Sequence, residues 1–179
     1  NADFDGDEMN IHSPQTEEAR AEAKILLDVK QNLISPKNST NWIGCIGDTV
    51  TGNYLLGLEE FSREDAHQLL YQSGILTEFS KKTIPGTEIF SEVLPKIDFK
   101  NKSVTINNGK VVKGVIDESL FGSEKGELIQ ELDYKVGRDE TFKSIRKAFN
   151  LGKRYLTQRG ITISLEDLDI SEEIIQESE

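Results

Sequence analysis

The sequence predicts an α+β fold in which helices dominate and a small β-hairpin or three-stranded patch interrupts them. Several stretches repeat apolar residues at helical spacing between capping and stop residues. A segment rich in β-branched residues, from Lys96 to Ile116, contains the hairpin turn Asn107-Asn108-Gly109. The length of 179 residues is enough for one compact domain or two small ones. Hydrophobic residues make up 36% of the chain.

Four helices are predicted before the hairpin. Thr16 is a suitable N-cap for the first helix, and Pro36 stops it. Ser62 and Asp65 resemble a capping box at the start of the third, which ends before Gly74. The predicted ranges are Thr16–Ile34, Asp48–Leu58, Ser62–Gly74 and Thr87–Leu94.

Two longer helices are predicted after the hairpin, beyond a weak boundary near residues 116–125. The first covers Gly122–Gly137, and the second covers Asp139–Gly160 with Asp139 as its N-cap and Gly160 as its C′ residue. The stretch ITISLEDL that follows is predicted to be extended and to start a new helix at Ser164.

Composition and charge exclude several classes of protein. A net charge of −11 argues against a domain that wraps a nucleic-acid backbone, because such surfaces are basic. The single cysteine, Cys45, permits no intrachain disulfide. No apolar run approaches the roughly 20 residues that span a bilayer, so we expect no membrane association.

The first ten residues, NADFDGDEMN, place aspartates at positions 3, 5 and 7. Three carboxylates held this close repel one another, so they stay ionised together when a cation joins them. Mg²⁺ prefers oxygen ligands, and Gly6 permits a tight turn between two of them. Asp3, Asp5 and Asp7 are therefore candidate metal ligands.

The same aspartate-rich stretch has other interpretations. An EF-hand loop also begins D-x-D-x-D, but its glycine belongs at the sixth position and its glutamate at the twelfth, where this chain has Glu8 and Pro14. An acidic, solvated surface turn and a catalytic Mg²⁺ site both fit the spacing alone. A phosphotransfer enzyme of another kind that uses a D-x-D pair is a third possibility.

The longer string resembles a known active-site motif. NADFDGDEMN followed by IHSPQTEEARAEA is similar to the metal-binding motif in the largest subunit of multisubunit RNA polymerases, above all in archaeal A′ subunits. Further stretches are similar to motifs of that family and stand in the same order along the chain: NLISP, IGCIGDTVTGNYLL, GTEIFSEVLP and GITISLEDL. The resemblance covers nearly the whole chain.

The resemblance implies an architecture. Residues 1–15 would be the end of a catalytic double-psi β-barrel with its metal-binding loop, most of the barrel lying before residue 1. Residues 16–120 would form the pore region, and residues 121–179 the helices from the pore to the start of the funnel. The chain would be a piece of a longer subunit. Met9 and Ile11 would pack beneath the loop.

The resemblance also implies a chemistry. Asp3, Asp5 and Asp7 would hold one catalytic Mg²⁺, and a second would arrive with the nucleoside triphosphate for two-metal nucleotidyl transfer to an RNA 3′ end. Asn1 would contact substrate ribose, unless it only caps the metal loop. The partners would be other polymerase subunits, including the second-largest, with template DNA, RNA and nucleotides, in the cytoplasm and at the nucleoid.

Two functional hypotheses follow. The first is a fragment of the catalytic subunit of DNA-directed RNA polymerase that is inactive alone and works in the full complex. The alternative is a non-catalytic scaffold that shapes a channel and binds neighbouring subunits.

Overall fold

The computed structural model describes residues 3–168, which form helices and two small antiparallel sheets. Two short 3-10 helices, Val29–Asn32 and Leu165–Leu168, accompany these elements. The α-helices are α1 (Glu17–Ile25), α2 (Asp48–Leu58), α3 (Arg63–Gln72), α4 (Gly86–Ser91), α5 (Glu118–Phe121), α6 (Glu127–Val136) and α7 (Arg138–Arg159). The strands are β1 (Glu60–Ser62), β2 (Thr83–Pro85), β3 (Phe99–Lys100), β4 (Val104–Asn107) and β5 (Lys110–Gly114). The predicted α+β class is confirmed.

The crossing of α2 and α7 is the centre of the core. Gly52 of α2 meets Gly152 of α7 so closely that a Cβ on Gly52 would overlap the Gly152 carbonyl oxygen and lie 2.7 Å from its carbon. At the same crossing the buried amide Nδ2 of Asn53 donates to the Ala148 carbonyl at 3.0 Å. Two glycines thus let the backbones touch, and an amide satisfies a buried carbonyl between them.

The predicted β-segment forms a three-stranded sheet in the order β3-β4-β5, which is the larger of the two predicted alternatives. Asn108 and Gly109 both have positive φ, at 48° and 76°, which is the conformation that a tight two-residue hairpin turn requires. Ile106 of β4 is fully buried and faces the core. The hairpin prediction is therefore confirmed, with its turn at the predicted residues.

The second sheet was not predicted from the sequence. β1 pairs with β2 in antiparallel register, with Phe61 opposite Ile84. Ile84 is fully buried, whereas its neighbours in β2 are exposed. In strands of three residues, the alternation of apolar and polar side chains is too short to identify a strand from sequence. The pairing of β1 with β2 also depends on residues that lie more than twenty positions apart.

The first helix is shorter than predicted. It begins after Thr16 as expected, and the Thr16 side chain accepts from the Ala19 N–H at 3.2 Å, but it ends at Ile25 and not at Ile34. The Asn32 amide donates to the carbonyls of Leu26 and Asp28, both at 3.0 Å, which takes acceptors that a continuous helix would use. The chain therefore turns at this point and resumes as a 3-10 helix.

The other helices follow the prediction with shifted ends. α2 has the predicted bounds, and Ser62 caps α3 through the Asp65 N–H at 3.1 Å. α4 ends at Ser91, earlier than predicted, and α6 begins only at Glu127 because the short helix α5 precedes it. Asp139 is not the N-cap of α7; it lies in the first turn and pairs with Lys30 at 2.7 Å.

The buried side chain of Asn41 helps to hold the loop before α2 to the rest of the fold. Its Nδ2 donates to the carbonyls of Gly122 at 2.8 Å and Ile43 at 3.0 Å. Asn41→Ala is expected to lower the free energy of unfolding by about 2 kcal/mol, since it leaves buried carbonyls unpaired. Urea denaturation measures this, with the exposed Asn10→Ala as control. Equal stability of the two variants would contradict the role of Asn41.

No helix within residues 3–168 combines the length and the apolar character that crossing a membrane requires.

Candidate functional site

The candidate metal ligands lie on an exposed turn ahead of α1. Residues 4–6 form the turn, and Gly6 at its end has φ +139°. The Asp3 N–H donates to Oδ2 of Asp7 at 3.1 Å. Asp5 lies between them and is exposed like its two neighbours. The structure therefore brings Asp3 and Asp7 together at the base of the turn.

The donor chemistry of this turn fits a hard divalent cation, because three accessible carboxylates are the ligands that Mg²⁺ prefers. The geometry does not yet make a ligand set. Within residues 3–168, no three acidic, histidine or cysteine side chains are grouped so that they could hold one ion. One Asp7 oxygen is already engaged by the Asp3 backbone.

The segment that carries this turn is joined to the fold by a contact with the neighbouring helix α1. Arg20 donates from Nε to the Pro14 carbonyl at 3.4 Å, and this bond joins the segment to α1. Met9 and Ile11 are 64% and 100% exposed, so the prediction that they pack beneath the loop is wrong for this structure. The described fold has no surface beneath the turn to receive them. Asn1, the predicted ribose contact, lies outside the described residues.

An apolar surface continues from the turn into the following segment. α1 buries none of its residues, and of the three leucines that follow it, Leu26, Leu27 and Leu33, Leu33 alone is buried. The residues Ile25, Leu26, Leu27 and Val29 are each more than 60% exposed. We call these four residues the α1 apolar patch. The N-terminal part of the described chain thus carries unpartnered apolar side chains next to the carboxylates.

Other reactive groups in the described fold have structural roles. Burial raises the pKa of the Cys45 thiol to about 11, so it stays protonated and unreactive. His67 accepts the Phe79 N–H on Nε2 at 2.9 Å and stacks on the Phe79 ring, as a structural histidine does. Neither residue has the surroundings of a nucleophile or a metal ligand.

An ion pair closes the end of α7. Arg159 donates to Glu59 at 2.8 Å, and this hydrogen bond lowers the pKa of the Glu59 carboxyl. Burial, and then the neighbouring Glu59 carboxylate, raise the pKa of the Tyr155 hydroxyl. Arg159 is thereby engaged within the fold.

Basic residues nearer the middle of α7 were overlooked at the level of sequence. Lys143, Arg146 and Lys147 lie on the same side of this helix as Arg154, next to the end of α3. The signal that identifies them is the absence of acidic residues between positions 141 and 159. Comparison with known proteins shows the family to which the chain is related.

The family model described as RNA polymerase Rpb1, domain 3, matches residues 32–168, and the one described as Rpb1, domain 2, matches residues 1–29. The chain belongs to the Rpb1 family of RNA polymerase subunits. The predicted resemblance to the largest polymerase subunit is thereby confirmed. The three aspartates lie in the stretch that matches domain 2, and the described core lies in the stretch that matches domain 3.

Relatives of this Rpb1-family chain include archaeal and eukaryotic subunits. DNA-directed RNA polymerase subunit Rpo1N of Methanococcus vannielii is 36% identical over 99% of the chain and 23% of its own length. The Rpo1N subunit of Methanocaldococcus jannaschii is 35% identical over the whole chain and 15% of its own length. DNA-directed RNA polymerase III subunit RPC1 of Debaryomyces hansenii is 32% identical, again over 15% of its length. The chain thus spans less than a quarter of these relatives.

Proposed function

We propose that this chain supplies a metal-binding loop and part of a pore wall to the catalytic subunit of a DNA-directed RNA polymerase. The observation that carries the proposal is the position of Asp3, Asp5 and Asp7 within the stretch that matches Rpb1 domain 2, directly before a domain 3 match of 137 residues, 32–168. The proposed reaction is Mg²⁺-dependent transfer of nucleotides to an RNA 3′ end on a DNA template, carried out by the assembled enzyme.

The proposed roles of the first residues follow from donor chemistry. The carboxylates of Asp3, Asp5 and Asp7 hold one Mg²⁺, which when bound stabilises negative charge at the reacting phosphate and activates the RNA hydroxyl. A second ion accompanies the nucleoside triphosphate. Asn1 contacts substrate ribose. The exposed carboxylates support this assignment, and Gly6 allows the turn to tighten around an ion.

The remaining residues are proposed to shape the channel. Residues 1–15 form the end of the catalytic barrel, residues 16–120 the pore region, and residues 121–179 the helices that lead to the funnel. The α1 apolar patch supports contact with further protein, because large exposed apolar patches mark interaction surfaces. The proposed partners are the second-largest subunit and other polymerase subunits, together with DNA, RNA and nucleotides, in the cytoplasm at the nucleoid.

A scaffold role is the second candidate, and a specific observation favours it for the chain by itself. Within the described residues the carboxylates are not grouped as ligands, whereas the α2–α7 core is complete. On this view the chain shapes a channel and binds neighbours, and it contributes no metal site unless the rest of the subunit brings Asp3, Asp5 and Asp7 together.

Metal titration tests the proposed loop. We expect the chain to bind Mn²⁺ or Mg²⁺ weakly, and Asp5→Asn to weaken that binding by about tenfold or more, because the substitution removes an anionic oxygen ligand. Isothermal calorimetry measures both affinities. Glu8→Gln is the matched control, since it removes one negative charge from the same exposed segment outside the D-x-D-x-D pattern.

The outcomes of the titration separate the two candidates. Equal weakening by Asp5→Asn and Glu8→Gln would mean that the ion responds to general negative charge and would contradict a defined site. No heat of binding in any of the three proteins would favour the scaffold role for the chain alone.

A further inference from the structure

The exposed side of α7 concentrates positive charge in a chain that is strongly acidic. Between residues 141 and 159 the sequence has six lysines and arginines and no aspartate or glutamate, although the net charge of the chain is −11. The buried residues of α7 pack against α2 and α6, so the cations occupy the opposite side. We call the five that share this side the basic face: Lys143, Arg146, Lys147, Lys153 and Arg154.

The basic face is a continuous surface with its own depression. Lys143, Lys147 and Arg154 follow one another at helical spacing, and the line covers about 16 Å along the helix axis. A depression of about 280 Å³ lies beside it, where Ser73 and Gly74 at the end of α3 meet α7. The half-buried side chain of Asn150 lines this depression between the cations.

Ion pairs inside the fold do not account for this charge. Among residues 3–168, Lys143 pairs with Glu140 at 2.6 Å, while the other four members of the basic face make no ion pair. Half of the other basic residues in this range are paired, as Arg138 is with Asp133 at 2.6 Å and Lys125 with Glu118 at 2.9 Å. An acidic chain with many carboxylates thus leaves this group of cations unneutralised.

The helix dipole does not account for it either. Cations are favoured near a helix C-terminus, but the effect is confined to the last turn. Arg159 occupies that turn and is paired with Glu59. Lys143, Arg146 and Lys147 lie more than three turns before the end of α7 at Arg159. A charge cluster in that position calls for a partner outside the described fold.

We propose that the basic face binds a short acidic segment of another protein. Charge complementarity supports this partner, and the 16 Å line matches about five residues of an extended peptide. A nucleic-acid strand fits less well. One ring, Phe149 at 38% exposure, borders the basic face between Arg146 and Lys153, so the face lacks a row of rings on which successive bases could stack, and the net charge of −11 repels a long polyanion beyond the cluster. This inference goes beyond the proposed function and does not depend on the aspartate loop.

A binding assay with the purified chain tests the proposal. The probe is a fluorescent peptide of about ten residues, in which glutamate alternates with glycine, long enough to span the basic face. The variant R146Q/K147Q/R154Q removes three cations from the face. The control K100Q/K102Q/K110Q removes three exposed lysines from the three-stranded sheet and its β3–β4 turn and gives the same net charge.

The native chain is expected to bind the peptide saturably at low salt. R146Q/K147Q/R154Q should weaken this binding at least about tenfold, because three ion pairs are lost. The control should keep its affinity within about twofold of the native value. Circular dichroism is expected to be unchanged for both variants, since five of the six substituted side chains are exposed and Lys147 is half-buried. Equal losses in the two variants would overturn the proposal, as would a lack of binding to the native chain. Tighter binding of an oligouridylate of similar length would assign the face to RNA instead.

Discussion

Replacing Asp3 by alanine in the full-length subunit is expected to reduce RNA synthesis by the assembled enzyme more than about a hundredfold, because the proposed ion would lose one of its three anionic ligands. The measurement is primed extension of an RNA 3′ end with saturating nucleotides. Asp3 is exposed and makes no contact with the core, so the yield of assembled enzyme should match that of the native protein.

Controls separate a metal ligand from a structural role. Glu8→Gln in the same enzyme is expected to retain activity within about threefold, since exposed substitutions outside the site cost little. The isolated chain is expected to incorporate no nucleotide. Wild-type rates in the Asp3→Ala enzyme would refute the catalytic assignment of the aspartates and leave the scaffold role.

Gly52→Ala is expected to be the most damaging single substitution to stability. A Cβ at this position would overlap the Gly152 backbone, so α2 and α7 must move apart and the core around Leu56 and Leu151 must loosen. Overpacking against backbone costs about 3 kcal/mol or more, which lowers the unfolding midpoint of a chain of this size by roughly 10 °C.

Thr157→Ala serves as the control for this experiment, because it makes a change of similar size on the exposed side of the same helix. Its midpoint should stay within about 2 °C of the native value. Gly152→Ala should reproduce the defect from the other helix, since its Cβ would lie 2.9 Å from the Asn53 side chain. Native-like midpoints for both glycine variants would mean that the two helices do not approach this closely.

Local chemistry made much of the fold predictable. A helix N-cap depends on residues within one turn, which is why Thr16 and Ser62 were identified correctly. The turn at Asn108-Gly109 depends on positive φ at two adjacent residues that tolerate it. The candidate site was recognised for a similar reason, because Asp3, Asp5 and Asp7 stand together in one short motif.

The errors concern interactions between distant parts of the chain. The first helix was predicted to be too long. The hydrogen bonds from the Asn32 side chain that replace its last turns leave no periodic pattern in the sequence. Met9 and Ile11 were expected to pack because the resemblance implies that they lie beneath the metal loop, yet both are exposed in the described fold. Arg159, near the end of α7, forms an ion pair with Glu59. The sequence did not predict this pair, because only the folded chain brings Glu59 beside Arg159.

The sequence by itself determined the helix caps at Thr16 and Ser62, the hairpin turn and membership of the Rpb1 family, since each depends on the identity of neighbouring residues. Tertiary structure alone decided that Gly52 and Gly152, a hundred positions apart, meet at a helix crossing. It also decided that β1 pairs with β2 and that five cations of α7 share one exposed side. Such features depend on which surfaces the folded chain buries together, and no short stretch of sequence contains that information.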